Sequence, residues 1–336
     1  VILPQHYYAI HLTDAEMHLA HVSRFHKGWK LESILLVSRL DEAMMHTALA
    51  SYGWSKWQWA NRVRMAVHPK STYLLLHSLD TAELKKTPDS LFQIVRNNLH
   101  LDDVAYESHI IHPSSGLPYS TSSSSREWLF AGAKTGALRD AIGLSQRLGM
   151  TCERLELACI SLIGGLISCM KIEQTAGILV TIFIGMDFCW ALVQNQERLL
   201  AVRSLPIYLR QLIGAYQQAY AIDNEQQART EMIEALQSDD PKIQILTEKL
   251  QREVEAFAGF FELQSGQTLN HIHIIGSIGA LGYLTPHLAR AVGMEAFQPQ
   301  LSRWLEAQGA SWSAKIDLNT LSPSWIIPLH LVSIDS

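Results

Sequence analysis

Residues 9–20 read Ala9-Ile10-His11-Leu12-Thr13-Asp14-Ala15-Glu16-Met17-His18-Leu19-Ala20. An apolar run meets the polar pair Thr13-Asp14 and resumes in alternation from Glu16, the pattern of two strands joined by a tight turn. Working outward, Tyr7 to Leu12 is a first strand, Glu16 to Ser23 a second and Trp29 to Val37 a third, with a turn at His26-Lys27-Gly28. Three short strands with tight turns form an antiparallel meander. Asp41 is placed to N-cap a helix from Glu42 to Tyr52, closed by Gly53. The same plan recurs. Gly177 to Gly185, Phe188 to Val193 and Arg198 to Ser204 read as a second meander, and Pro206 opens a helix running to Tyr220.

Between the meanders, Arg62 to Leu76 reads as a strand pair around His68-Pro69-Lys70, Ser90 to Leu99 as an amphipathic helix and Asp103 to His112 as a strand. Pro113 to Ser125 is rich in Ser, Thr and Pro and reads as a loop, from which Glu127 to Ala133 pairs back. Two helices follow, Thr135 to Leu148 and Leu155 to Met170. Asp240-Pro241 is a helix start, with Ile243, Leu246, Leu250, Val254, Phe257 and Phe261 on one face behind it. Ile272 to Ile275 is a buried strand ending in Gly276, and Thr285 to Val292 is a helix.

Composition limits the function. The chain has 336 residues, 48% of them hydrophobic and 18% charged, which suits two compact halves with substantial cores. A formal net charge of −5 argues against a general nucleic-acid binder, which needs a cationic face. The four cysteines form no CxxC pair and read as reduced thiols in a cytosol. The most apolar stretch, residues 157–170, is too short to span a bilayer and reads as a buried helix.

A doubled meander-plus-helix plan resembles the actin-like ATPases, and the order of motifs is similar to the PilM branch of type IV pilus assembly proteins from about Tyr7 to the carboxyl end. Ala9 to Thr13 takes the place of the first phosphate loop, Phe183-Ile184-Gly185 that of the second, and Ile275-Gly276-Ser277-Ile278-Gly279-Ala280-Leu281 resembles the glycine-rich turn near the adenosine. Val104 after Leu101-Asp102-Asp103, Ala131-Gly132-Ala133-Lys134, Leu148-Gly149-Met150 and Arg203-Ser204-Leu205-Pro206 match the branch. The resemblance implies an α/β fold of duplicated, RNase H-like subdomains in two lobes. Residues 1–61 and 134–175 would form the first subdomain, 62–133 an inserted partner-binding subdomain, and 176–336 the second lobe, with a helical part at about 207–268. It further implies a cytosolic adaptor on the inner-membrane platform of a pilus or secretion machine, peripheral to the membrane through a partner. That partner would be the tail of a PilN-like membrane protein, in a groove between the 62–133 module and the opening meander. Oligomeric state is left open.

Active relatives need an aspartate and a nearby glycine in each phosphate loop, for Mg²⁺ with its water and for close approach of backbone amides to ATP. Here His11 stands for the aspartate and Thr13 for the glycine of the first loop, His18 stands where lysine is usual, and the second loop keeps Gly185 but has Phe183 for its aspartate. Imidazole is a poor Mg²⁺ ligand and phenyl is none. Asp14 and Asp187 are the acids a register shift would recruit; otherwise both are turn residues on exposed hairpins. Thr13, Asp14, Gly185, Asp187, Gly276, Ser277 and Gly279 thus outline a candidate degenerate nucleotide cleft, in which hydrolysis is not expected and no cofactor is assigned, ATP with Mg²⁺ being the one left open. The alternatives are an active PilM-type ATPase using the two aspartates, the cytosolic part of a GspL-like secretion protein, which the ending at Ser336 disfavours, or a sugar or acetate kinase, for which no motif is visible.

His18, His21, His26, His271 and His273 lack a third and fourth ligand at zinc-site spacing, so no metal is assigned. There is no GxSxG, and Ser122 to Ser125 lies in the loop. Trp54, Trp57 and Trp59 are read as a buried junction.

Overall fold

The computed structural model describes residues 5–25, 28–38, 42–51, 62–80, 82–102, 104–120 and 125–333. The expected cap at Asp41, the turn at His26-Lys27, the Trp54–Trp59 cluster and Ser122 to Ser124 lie outside these residues.

The opening meander is β1 (Gln5–Leu12), β2 (Glu16–Phe25) and β3 (Gly28–Ser38), followed by α1 (Glu42–Ser51). Its first hairpin pairs Leu12 with Met17. Thr13 makes the turn that glycine would make elsewhere: its Oγ1 accepts from the Ala15 and Glu16 amides at 3.1 and 2.8 Å.

Next come β4 (Arg62–Val67), β5 (Tyr73–Ser78), α2 (Pro88–Leu99), β6 (Tyr106–Ile111) and β7 (Glu127–Lys134). The turn at His68-Pro69-Lys70 forms, with the Thr72 amide on the Pro69 carbonyl at 2.9 Å. The strands on either side of it do not pair, however. β4 lies parallel to β1, whereas β5 pairs with β7 in a separate three-stranded sheet, β5-β7-β6.

The chain continues through α3 (Thr135–Arg147), β8 (Thr151–Leu157) and α4 (Ala158–Glu173). Residues 155–157, read from sequence as the start of a helix, are the end of a strand parallel to β4. The six-stranded sheet therefore runs β14-β3-β2-β1-β4-β8, where β14 (Ala310–Trp312) comes from the end of the chain.

The second half repeats the plan. Its meander is β9 (Leu179–Ile184), β10 (Cys189–Gln194) and β11 (Leu199–Ser204). Three helices follow, α5 (Leu209–Ala219), α6 (Glu225–Ser238) and α7 (Gln244–Ser265). Asp240 accepts the Lys242 amide at 2.8 Å at a 3-10 turn leading into α7, and all six residues of the expected stripe are buried. β12 (His271–Gly276), α8 (Thr285–Val292) and β13 (Glu295–Ala296) complete a sheet ordered β11-β10-β9-β12-β13. In both sheets an antiparallel meander acquires parallel strands on its first strand, the arrangement that crossover helices permit.

After α9 (Leu301–Ala307) the chain returns to the first half, where β14 lies parallel to β3 and α10 (Ile326–Ser333) packs on α4 and β4. Residues 310–333, expected in the second lobe, thus complete the first sheet and its cover. The apolar 157–170 stretch is mostly interior. Leu162, Leu166, Cys169 and Met170 join a core that also holds Ala9 and Ala20 of the first sheet and Leu179 and Phe183 of the second. Among the described residues no helix is long and apolar enough to cross a membrane.

Candidate functional site: an interlobe cleft and a strand-edge groove

The first hairpin turn faces the glycine-rich turn after β12. The Thr13 hydroxyl donates to the Ser277 carbonyl at 2.8 Å, and the Gly279 amide donates to Glu16 Oε2 at 2.9 Å. The Ser277 amide meanwhile donates to the Ile184 carbonyl, so one residue bridges both hairpins. A Cβ on Gly276 would lie 2.6 Å from that same carbonyl, and one on Gly279 would lie 2.8 Å from Ser322 Oγ. These glycines admit neighbouring protein. Asp14 is exposed at the turn.

The second hairpin is packed with rings. Phe183 stacks on Phe188, and His68 from the first half meets both edge-on, at 4.5 and 4.0 Å between centroids. A Cβ on Gly185 would come within 2.0 Å of the Phe188 ring, so Phe188 occupies the space above that glycine. Asp187 is held between Lys70 at 3.4 Å and Arg210 at 3.1 Å, and the Arg210 hydrogen bond is the main reason its carboxyl titrates below the usual range.

Imidazoles line the first-half wall. His11 on β1 stacks on His18 of β2, both fully buried, and His68 beyond β4 is nearly so. Burial holds all three neutral. It lowers His18 to about 4 and His68 to about 3, and His11 is lowered well below its ordinary value. The same cause raises Glu16, against which the Gly279 amide acts. His271 and His273 engage the Ala176 and Phe297 carbonyls. Among the described residues no three His, Cys, Asp or Glu side chains are grouped to hold a metal ion.

Sequence reasoning missed Glu16 and His68. The available signal was phase: Glu16 and His18 fall on the same face of β2 as Ala20 and Val22, where an acid in a buried row needs a partner.

A second feature lies on the far edge of the first sheet. A groove of about 890 Å³ is bounded by β6 and β7 on one side and by α3, β8 and α4 on the other. It is lined by apolar residues such as Leu138, Ile142, Ile160 and Ile167, and by four consecutive residues of β8, 154–157. Consecutive lining means that the groove runs along the strand's edge, since side chains alone would alternate. β8 ends the sheet order, with β4 as its strand neighbour among the described residues. Among the described residues the opening meander, expected to form one wall, contributes no lining residue to this groove, because β4 and β8 stand between β1 and the module.

No protein-family model matches the chain, and no curated protein matches it. Among solved structures it is similar to the PilM-PilN type IV pilus biogenesis complex, at 14% sequence identity and a TM-score of 0.72, with 97% of each chain covered. The fold is that of PilM-like, actin-like proteins. It is also similar to the ethanolamine utilization protein EutJ from Carboxydothermus hydrogenoformans, at 10% identity and a TM-score of 0.50, covering 99% of this chain and 90% of that one. The cytoplasmic domain of EpsL from Vibrio cholerae, at 10% identity and a TM-score of 0.38 over 59% of this chain and 71% of that one, is too distant to carry an argument.

An actin-like fold implies a Mg²⁺-nucleotide between its lobes, and the residues here do not fit one. The Thr13 hydroxyl and the Gly279 amide are engaged with each other's lobe, Phe183 offers no ligand, and Asp187 already has two cationic partners.

Proposed function

We propose that this chain is a PilM-like adaptor of a type IV pilus or related secretion platform. Its groove would take the extended N-terminal tail of a PilN-like membrane protein, holding the chain at the inner membrane. The observation that carries this reading is the groove along β8. An apolar trough beside an open strand edge suits an extended peptide, whose backbone pairs with the edge while alternate side chains fill the trough. Similarity of fold to a solved PilM-PilN complex supports the choice of partner.

The test is fluorescence anisotropy with a synthetic peptide of the cytosolic tail of a PilN-like protein encoded in the same genome. Micromolar binding is expected, weakened at least about tenfold, or about 1.4 kcal/mol, by Leu138→Asp or Ile160→Asp. Absence of binding to the folded chain, or equal binding by both variants, would reject the groove as the tail site.

A further inference from the structure

The contacts between the lobes carry one more step, which rests on reading this cleft as the counterpart of an actin-like nucleotide site. We infer that Glu16 is the resident anion of the cleft: its carboxylate holds the Gly279 amide, and with the Thr13–Ser277 bond it clamps the two halves, so the chain's own side chains set the lobe geometry in place of a nucleotide.

Four observations converge. First, Glu16 and Gly279 are 263 residues apart, yet meet at 2.9 Å in a buried contact. A carboxylate accepting a backbone amide is the interaction that a phosphate oxygen would make there. Second, Ser277 is tied to both hairpins at once, through its carbonyl to Thr13 and its amide to Ile184. Third, Ser322 and Pro323 close over Gly279 and Gly282, from a segment leading into α10, which packs on the first half. Fourth, the second hairpin is occupied by Phe183, Phe188 and His68, with rings from both halves.

The charge on Glu16 is held against burial. His18 Nε2 lies 3.7 Å from the carboxylate, but burial keeps that ring neutral. Burying a carboxylate costs stability, and here the Gly279 amide of the opposite lobe and the positive charge of Arg229 act against that cost. A neutral amide of the same shape can still accept from Gly279, whereas a methyl group leaves that amide without its acceptor.

The experiment is hydrogen exchange at the Gly279 amide together with thermal melts in millimolar MgATP or pyrophosphate, on the full chain. In the wild type the amide is expected to be protected and the melt unmoved by either probe. Glu16→Ala should speed Gly279 exchange at least about tenfold, while Glu16→Gln stays close to wild type. Equal protection in Glu16→Ala, or a wild-type melt raised by MgATP or pyrophosphate, would overturn the inference. If Glu16→Ala does not fold, the Glu16→Gln exchange and the wild-type titrations decide. Exchange in Glu16→Gln as fast as in an unprotected amide, or a shifted wild-type melt, rejects the clamp. None of these readouts involves the groove, so the clamp and the tail-binding proposal fail separately.

Discussion

The groove and the cleft lie in the same molecule and are built by opposite rules. In the groove, a strand edge that no further strand joins among the described residues faces an apolar trough about 890 Å³ in volume. In the cleft, the polar groups of the facing turns meet one another: hydroxyl to carbonyl, amide to carboxylate, aspartate to lysine and arginine. Unmatched backbone and apolar surface are what a second chain can use. Facing turns that match each other's donors and acceptors offer a ligand only an exchange of one good contact for another, although the ring nitrogens of His11, His18 and His68 behind them meet no hydrogen-bond partner among the described residues. On the proposed reading, recognition would belong to the groove and rigidity to the cleft.

The strongest way to break the contrast is to restore the missing acid of the second hairpin. Phe183 is fully buried and belongs to the core shared by both halves. Phe183→Ala is expected to cost about 3–5 kcal/mol in a urea melt. Phe183→Asp should cost more, because its carboxylate would sit against Phe188 and a neutral His68 with no cation to meet it. If Phe183→Asp instead folded well and gained Mg²⁺-dependent ATP binding, the cleft would be a nucleotide site one substitution from function. Groove substitutions should behave in the opposite way. Leu138 and Ile160 are only half-buried, so aspartate there is expected to lower peptide affinity much more than stability.

Local pattern made much of this architecture legible, and pairing between distant segments did not. The stripe from Ile243 to Phe261 gave α7 its buried face because its period needs no tertiary partner to be read. Both meanders were readable from alternation and turns. β8 was not, because Glu153-Arg154-Leu155-Glu156-Leu157 consists of good helix formers and runs directly into α4; it becomes a strand only by lying beside β4. A proline turn marked the change of direction after β4 without revealing that the next strand joins another sheet. That pairing also displaced the expected groove, since the position of β8 decides which edge faces the inserted module. In the cleft, the substitutions at His11, Thr13 and Phe183 were visible. The Glu16–Gly279 contact beside them joins turns from opposite halves, and no local periodicity encodes it.

A subtler test uses acid. His11, His18 and His273 are fully buried, His68 is nearly so and His330 is half-buried with its ring turned inward, and loss of solvent holds each below its ordinary value, to about 3 for His68 and about 4 for His18, His273 and His330. The unfolded chain takes up these protons near pH 6.5, where the folded chain does not, so stability falls as pH drops from about 6.5 towards about 4. Each histidine contributes up to about 1.4 kcal/mol per pH unit. Glu16 opposes this: its raised value gives a contribution present at low pH and lost as pH rises through the folded value. Glu173, also raised by burial, acts in the same direction as Glu16, but the lowered histidines, His21 among them, outnumber the two acids, so denaturant midpoints should decline between pH 6.5 and 4. His68→Leu should make that decline shallower by one histidine's share, and an unchanged slope would mean that the ring is not held neutral in the cleft.

The smallest expected effect discriminates most sharply between scaffold and ATPase. Asp187 is the acid a shifted second phosphate loop would need, yet its side chain bridges Lys70 and Arg210, both largely solvent-exposed. Exposed ion pairs are screened by water and salt and contribute little to folding. Asp187→Ala should therefore leave the melt nearly unchanged and have no effect on tail-peptide binding. A catalytic aspartate behaves otherwise, since its removal abolishes nucleotide turnover while leaving the fold intact. The two accounts diverge in one assay. Phosphate release by the wild type that disappears in Asp187→Ala would make the second hairpin a working loop, whereas no release from either leaves Asp187 as a tie between the Lys70 turn of the first half and the second hairpin, on the same boundary that Glu16 closes from the first hairpin.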